Sequence, residues 1–278
     1  MKKHILITGS TDGIGLEAAK ILLQQGHHIL LHGRSKDKLQ KLSTELAHLG
    51  QLDTFCADLS DLQAVSQFAK DVTHKYPQLD VLINNAGVLK TTHTNNQDGI
   101  DMRFVVNTIA PYLLTTLLLP LLKKGRIINI SSAAQMSVDL LALVGKGKQM
   151  NAMDTYSQSK LAIIMWSFAM AKSLNQQETM ICSVNPGSLL ASKMVKEGFG
   201  IEGKDIDIGA KILVRSALSD DFAQASGKYF DNDIKQFTSP HQDAFNIDKC
   251  YDVIHTIENL LVELKIPYYT NLDYDITK

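Results

Sequence analysis

The sequence has no excess of one sign of charge and no long run of like charge. It contains 28 basic and 29 acidic residues, which gives a formal net charge of -1. Domains that bind nucleic acid or anionic membranes usually concentrate basic residues on one face or in one segment. The composition therefore gives no support to a nucleic-acid partner, and we predict none.

Cysteine is also scarce. Cys56, Cys182 and Cys250 lie far apart and form no C-x-x-C pair, which argues against a disulfide framework and a zinc cluster. His28 and His32 are four residues apart, but on a strand this spacing separates them by ~13 Å, too far to share one ion. We predict no metal site and a reducing, cytoplasmic location.

Long hydrophobic runs and linkers are lacking as well. The most apolar window, 113–122, is shorter than the ~20 residues that span a bilayer, so we predict a buried helix and no membrane span. The apolar run "ILI" near the start is too short for a secretory signal. There is no segment rich in proline or serine and no internal repeat, so we predict one domain over 1–278.

Short apolar runs alternate with segments of helical periodicity through most of the chain. The predicted strands are 4–8, 28–33, 53–60, 81–83, 125–132, 179–187 and 227–232. The predicted helices are 13–26, 35–50, 62–76, 102–122, 153–176, 206–219 and 240–278, the last ending in a polar tail. This alternation is typical of an α/β fold, a parallel sheet with helices on both faces.

The segment "TGSTDGIG" lies between the first strand and the first helix. Its glycines, Gly9, Gly13 and Gly15, permit a tight turn and let backbone N–H groups approach a pyrophosphate. The helix that follows places its positive end at the same point. The sequence therefore predicts a dinucleotide site at this turn.

The second predicted strand ends at Gly33 and is followed by Arg34. An acidic residue here would accept hydrogen bonds from the adenosine 2′-hydroxyl of NAD, whereas an arginine matches the 2′-phosphate of NADP. We therefore predict a preference for NADP(H), with NAD(H) still possible. The alternative is that Arg34 is an ordinary solvated surface residue.

The segment "TYSQSK" places Tyr156 four residues before Lys160, on one face of a predicted helix. An ammonium about 4 Å from a tyrosine, at an effective dielectric near 20, stabilises the tyrosinate by ~4 kcal/mol. Lys160 is therefore expected to lower the pKa of Tyr156, which could then exchange a proton with an alcohol or a carbonyl. The pair alone is weak evidence, because a chain of this composition contains such spacings by chance.

The chain resembles the short-chain dehydrogenase/reductase family, in its single-domain branch, over residues 3–235. The motifs that carry the resemblance are, in order, "TGSTDGIG", "ADL", "NNAG", the Asn in "VVNTIAPYLL", "INISS", "YSQSK" and "VNPG". It implies a Rossmann-type doubly wound sheet in three α/β/α layers. It also implies hydride transfer between NADP(H) and a small-molecule carbonyl or alcohol.

The resemblance also implies a role for individual residues. Tyr156 would be the acid/base, Lys160 would tune it and hold the nicotinamide ribose, and Ser132, in preference to Ser131, would bind the substrate oxygen. Asn107 would support a water that links Lys160 to solvent. The implied cofactor-binding residues, with Arg34, are Gly9, Ser10, Thr11, Asp12, Gly13, Ile14, Gly15, Asp58, Leu59, Asn85, Ala86, Gly87, Tyr156, Lys160, Pro186, Gly187, Leu189 and Ser192.

The chain departs from the family pattern at several positions. Asp12 stands where NADP-using members often have a basic residue, and Ala191 stands where a carboxamide-binding threonine is usual, so Ser192 would have to serve. The segment 133–154 contains an insertion, as in members that resemble retinol dehydrogenases and related carbonyl reductases. We expect 188–205 to form a lid. Its possible apolar substrate contacts are Leu189, Leu190, Met194 and Phe199.

Other functions and assemblies stay open at this point. A regulator could bind NADP(H) without turnover, and an epimerase or dehydratase could use the same Tyr–Lys pair. A serine hydrolase is disfavoured because there is no G-x-S-x-G motif. The apolar helices 102–122 and 153–176, with Trp166 and Phe168, would suit a homodimer or homotetramer, or simply a buried core.

Overall fold

All strands belong to one sheet with the first strand near its centre. The computed structural model describes residues 1–174 and 179–268, apart from the Phe199 side chain. The strands are β1 His4–Ile7, β2 His28–Gly33, β3 Leu52–Cys56, β4 Val81–Asn84, β5 Arg126–Ile130, β6 Met180–Asn185, β7 Tyr229–Asp231 and β8 Gln236–Thr238. Their order is β3-β2-β1-β4-β5-β6-β7-β8, and only β8 runs antiparallel to its neighbour. The order reverses between β1 and β4, which opens a crevice at the carboxyl ends of these strands.

The helices lie on both faces of the sheet, so the predicted Rossmann-type α/β/α architecture is confirmed. They are α1 Gly13–Gln24, α2 Lys36–Leu46, α3 Leu62–Lys75, α4 Met102–Phe104, α5 Ala110–Leu118, α6 Leu140–Leu143, α7 Ala152–Leu174, α8 Lys193–Phe199, α9 Asp207–Leu218 and α10 Ile247–Glu263. A π-helical turn, Val105–Ile109, joins α4 to α5.

Alternate strand residues point into two separate cores. Leu6 and Leu30 pack with α3, α5 and α7, whereas Ile5 and Ile29 pack with α1, α2 and α9 on the opposite face. The α10 helix then packs on α7. Trp166 is 0% exposed as a result, and it is unavailable to a second subunit. The homodimer or homotetramer stays a prediction, and the buried Trp166 gives it no support.

Several predicted boundaries are wrong. The α2 helix ends at Leu46 rather than Gly50, and a Cβ at Gly50 would lie 2.9 Å from the Leu23 carbonyl oxygen. Gly50 therefore permits close packing on α1 instead of ending α2. The α10 helix begins at Ile247 rather than 240, because Asn246 caps it. The short β8 was not predicted, and the predicted helical residues 175–176 and the tail 269–278 lie outside the described residues.

The segment Met102–Leu121 is the one described helical segment that is long and apolar enough to cross a membrane. However, 89% of its most apolar window is buried inside the fold. The predicted buried helix over this apolar run is therefore confirmed as a core element.

Candidate active site

A cavity of about 780 Å³ opens at the carboxyl ends of the central strands. It runs from the glycine turn, past the ends of β4 and β5, to the segment after β6. The predicted site residues on its walls are Gly9, Thr11, Asp12, Gly13, Ile14, Arg34, Asp58, Leu59, Asn85, Ala86, Gly87, Ser132, Tyr156, Lys160, Pro186, Gly187, Leu189 and Ser192. Three others, Ser10, Gly15 and Asn107, lie behind the walls.

The glycine turn packs tightly against the end of β4. Gly9 has a φ of 63°, and a Cβ on it would lie 2.9 Å from the Cα of Ala86. A Cβ on Gly15 would lie 2.4 Å from Asn85 Nδ2, which itself donates to the Thr8 carbonyl at 2.8 Å. Gly15 therefore serves close packing, and the turn has the shape that a phosphate-binding loop needs.

His32 holds the glycine turn in place by hydrogen bonds, a role that the sequence did not predict. Its Nδ1 accepts a hydrogen bond from the Gly9 N–H at 3.1 Å, and its Nε2 donates to the Ala57 carbonyl at 3.2 Å. Burial lowers the pKa of His32 to about 4, so the ring is neutral near pH 7. Ser10, also buried, accepts from the His32 N–H at 2.9 Å. The available signal was the position of His32 at the end of β2, just before Arg34.

The far end of the cavity carries basic side chains. Arg34 is exposed on its wall, and Lys38 lies on the same wall, while a contact of Arg34 with a 2′-phosphate stays a prediction. Lys38 Nζ is 3.0 Å from a carboxylate oxygen of Asp12. Burial raises the pKa of Asp12, but hydrogen bonds from Lys38 and Gly13 outweigh this effect and the pKa is lowered overall. Sequence reasoning missed Lys38, although it follows Arg34 by one helical turn.

Tyr156 and Lys160 meet at the other end of the cavity, beside the end of β5. Lys160 Nζ lies 5.7 Å from the centre of the Tyr156 ring and donates to the Ile130 carbonyl at 2.8 Å. Ser131 and Ser132 follow β5 and both border the cavity, but Ser131 is buried and its hydroxyl donates to the Lys160 carbonyl at 3.0 Å. The Ser131 hydroxyl is thus already used within the fold, which favours Ser132 as the serine for the substrate oxygen, and that role stays a prediction.

Asn107 lies in the π-helical turn, where Ala110 N–H donates to the carbonyl five residues back. Its Oδ1 accepts from Val88 N–H at 2.8 Å, and its Nδ2 donates to Ser159 Oγ at 3.0 Å. A Cβ on Gly87 would lie 3.4 Å from both Asn107 Oδ1 and Lys160 Nζ. Asn107 and Lys160 therefore lie close together beside Gly87. The π-helical turn that carries Asn107 is a distortion of the kind often found at functional sites.

The surroundings oppose ionisation of both Tyr156 and Lys160. Burial raises the pKa of Tyr156, and a hydrogen bond with Ser132 partly opposes this rise. Burial lowers the pKa of Lys160 to about 8. Lys160 is not among the groups that shift the pKa of Tyr156 in this arrangement, in which its ammonium is bound to the Ile130 carbonyl, so the lowering by Lys160 stays a prediction. Near pH 7 the pair is a neutral phenol beside a mostly protonated amine.

Part of the segment 188–205, residues 188–190 and 192–195, lines the cavity and includes the start of α8, and its role as a lid stays a prediction. Ser192 caps α8, and its Cβ is 4.0 Å from the position of a Cβ on Gly13. Likewise, a Cβ on Gly87 would lie 3.6 Å from Met194 Cε. Ser192 therefore lies beside the glycine turn. Leu189, Leu190 and Met194 line the cavity, as predicted, and the Phe199 side chain lies outside the described part of the chain.

The model of the short chain dehydrogenase family matches residues 3–199. The chain belongs to the short-chain dehydrogenase family. It is 30% identical over 253 residues to human retinol dehydrogenase 13, covering 82% of this chain and 76% of that protein. It is also 30% identical over 256 residues to the chloroplastic short-chain dehydrogenase TIC 32 A of Brassica napus, covering 82% and 80%. Membership makes this short-chain dehydrogenase an oxidoreductase, as the sequence predicted.

Solved structures share its fold. The NADPH-bound carbonyl reductase from chicken fatty liver has a TM-score of 0.67 at 25% identity, covering 86% of this chain and 99% of that one. An uncharacterised protein of Mycobacterium paratuberculosis has a TM-score of 0.78 at 24% identity, covering 93% and 92%. The second comparison supports the fold alone.

Proposed function

We propose that this short-chain dehydrogenase reduces a carbonyl compound to an alcohol, with Tyr156 as the proton donor. The observation that carries the proposal is that Tyr156, Lys160 and Ser132 share one cavity with the glycine turn. The nicotinamide cofactor would supply a hydride to the carbonyl carbon. Ser132 would hold the carbonyl oxygen, and Tyr156 would give that oxygen its hydroxyl proton.

The protonation states favour reduction near neutral pH. A raised pKa keeps Tyr156 in its acid form, which can donate a proton. The pKa of Lys160, about 8, leaves its side chain mostly charged at pH 7. A charged Lys160 would stabilise the phenolate that forms as the proton leaves, and Asn107 would hold the water through which Lys160 exchanges protons.

The open end of the cavity supports NADP(H) as the cofactor. Arg34 and Lys38 both line the cavity just after β2, where an adenosine 2′-phosphate would lie, and two cations there would favour the dianionic group over a hydroxyl. Solved family members contain this cofactor, including the chicken fatty liver reductase and a metagenomic oxidoreductase that is 27% identical. NAD(H) stays the alternative cofactor, and the experiment below distinguishes it from NADP(H).

The remaining cavity wall favours an apolar or neutral carbonyl substrate. The lining includes many aliphatic and thioether side chains, two of them from the predicted lid: Val88, Leu89, Met102, Val106, Met153, Met194 and Val195. Unbranched methionine side chains adapt to substrates of different shape. The relatives named as retinol dehydrogenases agree with such a substrate. A homodimer or homotetramer and a cytoplasmic location stay predictions.

The experiment is a panel of apolar aldehydes and ketones with NADPH or NADH, followed by cofactor absorbance and by product analysis. We expect stoichiometric oxidation of NADPH with at least one member, and none with Tyr156→Phe. Tight NADPH binding without turnover on the whole panel would favour the cofactor-sensing regulator. Substrate conversion without net cofactor oxidation would favour an epimerase or dehydratase.

A further inference from the structure

Two side chains hold the backbone carbonyl of Ser132. The Tyr229 hydroxyl donates to this oxygen at 3.1 Å, and Gln135 Nε2 donates to it at 3.0 Å. Gln135 is fixed in turn, because its Oε1 accepts from the His241 N–H at 2.7 Å. Tyr229 and His241 lie beyond residue 199, where the match to the family model ends. The end of β5 is therefore tied to the C-terminal part of the chain.

Tyr229 is a rigid anchor for this contact. It is 2% exposed and lies on β7, paired with Ser183 of β6. Because β6 lies between β5 and β7, the Tyr229 side chain crosses one strand to reach Ser132. Burial raises the pKa of Tyr229 and a hydrogen bond from Gln135 opposes that rise, so its hydroxyl stays protonated and able to donate.

The Ser132 hydroxyl depends on the orientation of its own backbone. Its Oγ accepts from the Ala134 N–H at 3.1 Å, so its O–H is free to donate toward Tyr156 and the cavity. The preceding residue is fixed by the bond from Ser131 Oγ to the Lys160 carbonyl. The Ser131 N–H also donates to the Val184 carbonyl at 2.8 Å, and the carbonyl of Ser132 is a further point at which this short segment is held.

We propose that Tyr229 and Gln135 are positioning residues that fix the Ser132 backbone so that its hydroxyl points at Tyr156. This inference rests on the proposed carbonyl reduction. Either donor alone leaves the carbonyl partly held, whereas loss of both releases it.

The first test replaces the donors one at a time and together. We expect Tyr229→Phe and Gln135→Ala each to lower kcat by a few-fold, and the double variant to lower it by roughly tenfold to a hundredfold, the cost of a small misplacement. The dissociation constant of NADPH should not change. The matched control is Tyr112→Phe, which removes another buried hydroxyl, one that donates to Glu258 at 2.7 Å and lies away from the cavity. It should lower Tm without changing kcat.

The second test asks whether Tyr229 acts through Ser132. In a Ser132→Ala background, Tyr229→Phe should have no further effect on kcat, because the hydroxyl that it positions is gone. An equal fold-loss in both backgrounds would overturn the proposal. So would a loss of Tm with no loss of kcat, which is the result expected of a merely structural tyrosine.

A third readout is independent of turnover. Tyrosinate absorbance, taken as the difference from Tyr156→Phe, reports the pKa of Tyr156. The Ser132 hydrogen bond lowers this pKa, so Tyr229→Phe with Gln135→Ala should raise it. An unchanged pKa would overturn the positioning role even if no carbonyl substrate is found. Failure of the substrate panel with a shifted pKa would count against the proposed function alone.

Discussion

Two clusters of polar side chains lie at opposite edges of the sheet, and each contains a largely buried tyrosine beside a lysine. The cavity-side cluster comprises Asn107, Ser132, Tyr156 and Lys160. The amino-edge cluster, at the amino ends of β1 to β3, comprises His4, His28, Asp53, Lys75 and Tyr76. The two sets are similar in composition but differ in what surrounds the tyrosine.

In the amino-edge cluster the polar groups of His28, Lys75 and Tyr76 all bind the Asp53 carboxylate. The Tyr76 hydroxyl donates to Asp53, which also lies 2.8 Å from His28 Nε2 and pairs with Lys75. Burial and the Asp53 carboxylate raise the pKa of Tyr76 strongly. None of these groups lines the large cavity, whereas Tyr156 does. Each tyrosine has a lysine ammonium near its ring, at 6.0 Å for Tyr76 and 5.7 Å for Tyr156. The carboxylate bound to the Tyr76 hydroxyl and the open space beside Tyr156, more than residue composition, distinguish the two tyrosines.

The largest expected effect tests that comparison directly. Tyr156→Phe should lower kcat for carbonyl reduction by roughly 10²–10⁴-fold, because the proton donor is lost. NADPH binding, measured by fluorescence titration, should be largely retained. Tyr76→Phe should leave kcat unchanged and lower the free energy of unfolding by about 1–3 kcal/mol, because Asp53 loses a donor. Comparable losses of kcat in the two variants would break the comparison.

His32 and His28 lie at the two ends of the same strand and give the second prediction. The pKa of His32 is about 4 in the fold, against 6.5 when unfolded. The unfolded chain therefore binds more protons between these values, so this contribution is complete above pH 6.5 and is lost as pH falls toward 4. At most about 3 kcal/mol of stability is lost in this way.

Urea unfolding between pH 7 and pH 4.5 measures this loss. His32→Gln should flatten the pH dependence, because glutamine does not titrate. His28→Gln should change it less, since burial lowers the pKa of His28 but the contact with Asp53 opposes this. A larger flattening in His28→Gln than in His32→Gln would contradict this prediction. It would mean that neutral His32 is not the group that holds the glycine turn.

The cavity-side cluster was largely predictable from the sequence, and the contacts that hold it were not. Gly9 and Ser132 lie where predicted strands end, and Tyr156 lies on the helix that follows the strand ending at Ser132. Because parallel strands have their carboxyl ends on the same side of the sheet, these residues were expected to lie close together. Tyr229 is 97 residues from Ser132, and no local pattern signals that contact. Similarly, the sequence pattern predicts that Gly50 ends a helix. Glycine is needed at this position because a side chain would be too close to Leu23, and this contact is seen only in the folded structure.

The third prediction concerns pH and Lys160. Its pKa of about 8 is lowered by burial, so the charged form is lost as pH rises through that value. We expect kcat for reduction to fall above pH 8, by about tenfold at pH 9, because neutral Lys160 no longer stabilises the Tyr156 phenolate. A pH profile of kcat at saturating NADPH measures it. A flat profile to pH 10 would show that Lys160 does not act through its charge.

The smallest expected effect compares two lysines that each pair with an aspartate. Lys38 pairs with Asp12 on the cavity wall, whereas Lys75 pairs with Asp53 in the amino-edge cluster. Lys38→Ala should weaken NADPH binding about tenfold, the usual cost of a charge-assisted hydrogen bond, and leave NADH binding nearly unchanged. Lys75→Ala should alter neither, because Lys75 does not line the large cavity.

The salt dependence of binding sharpens this last comparison. The affinity of the unchanged chain for NADPH should fall as ionic strength rises, since Arg34 and Lys38 are exposed and screened. Lys38→Ala should make that fall shallower. An equal loss of NADPH and NADH affinity in Lys38→Ala would mean that Lys38 orders Asp12 and the glycine turn rather than contacting the 2′-phosphate. Arg34 would then be the single cation that selects NADPH.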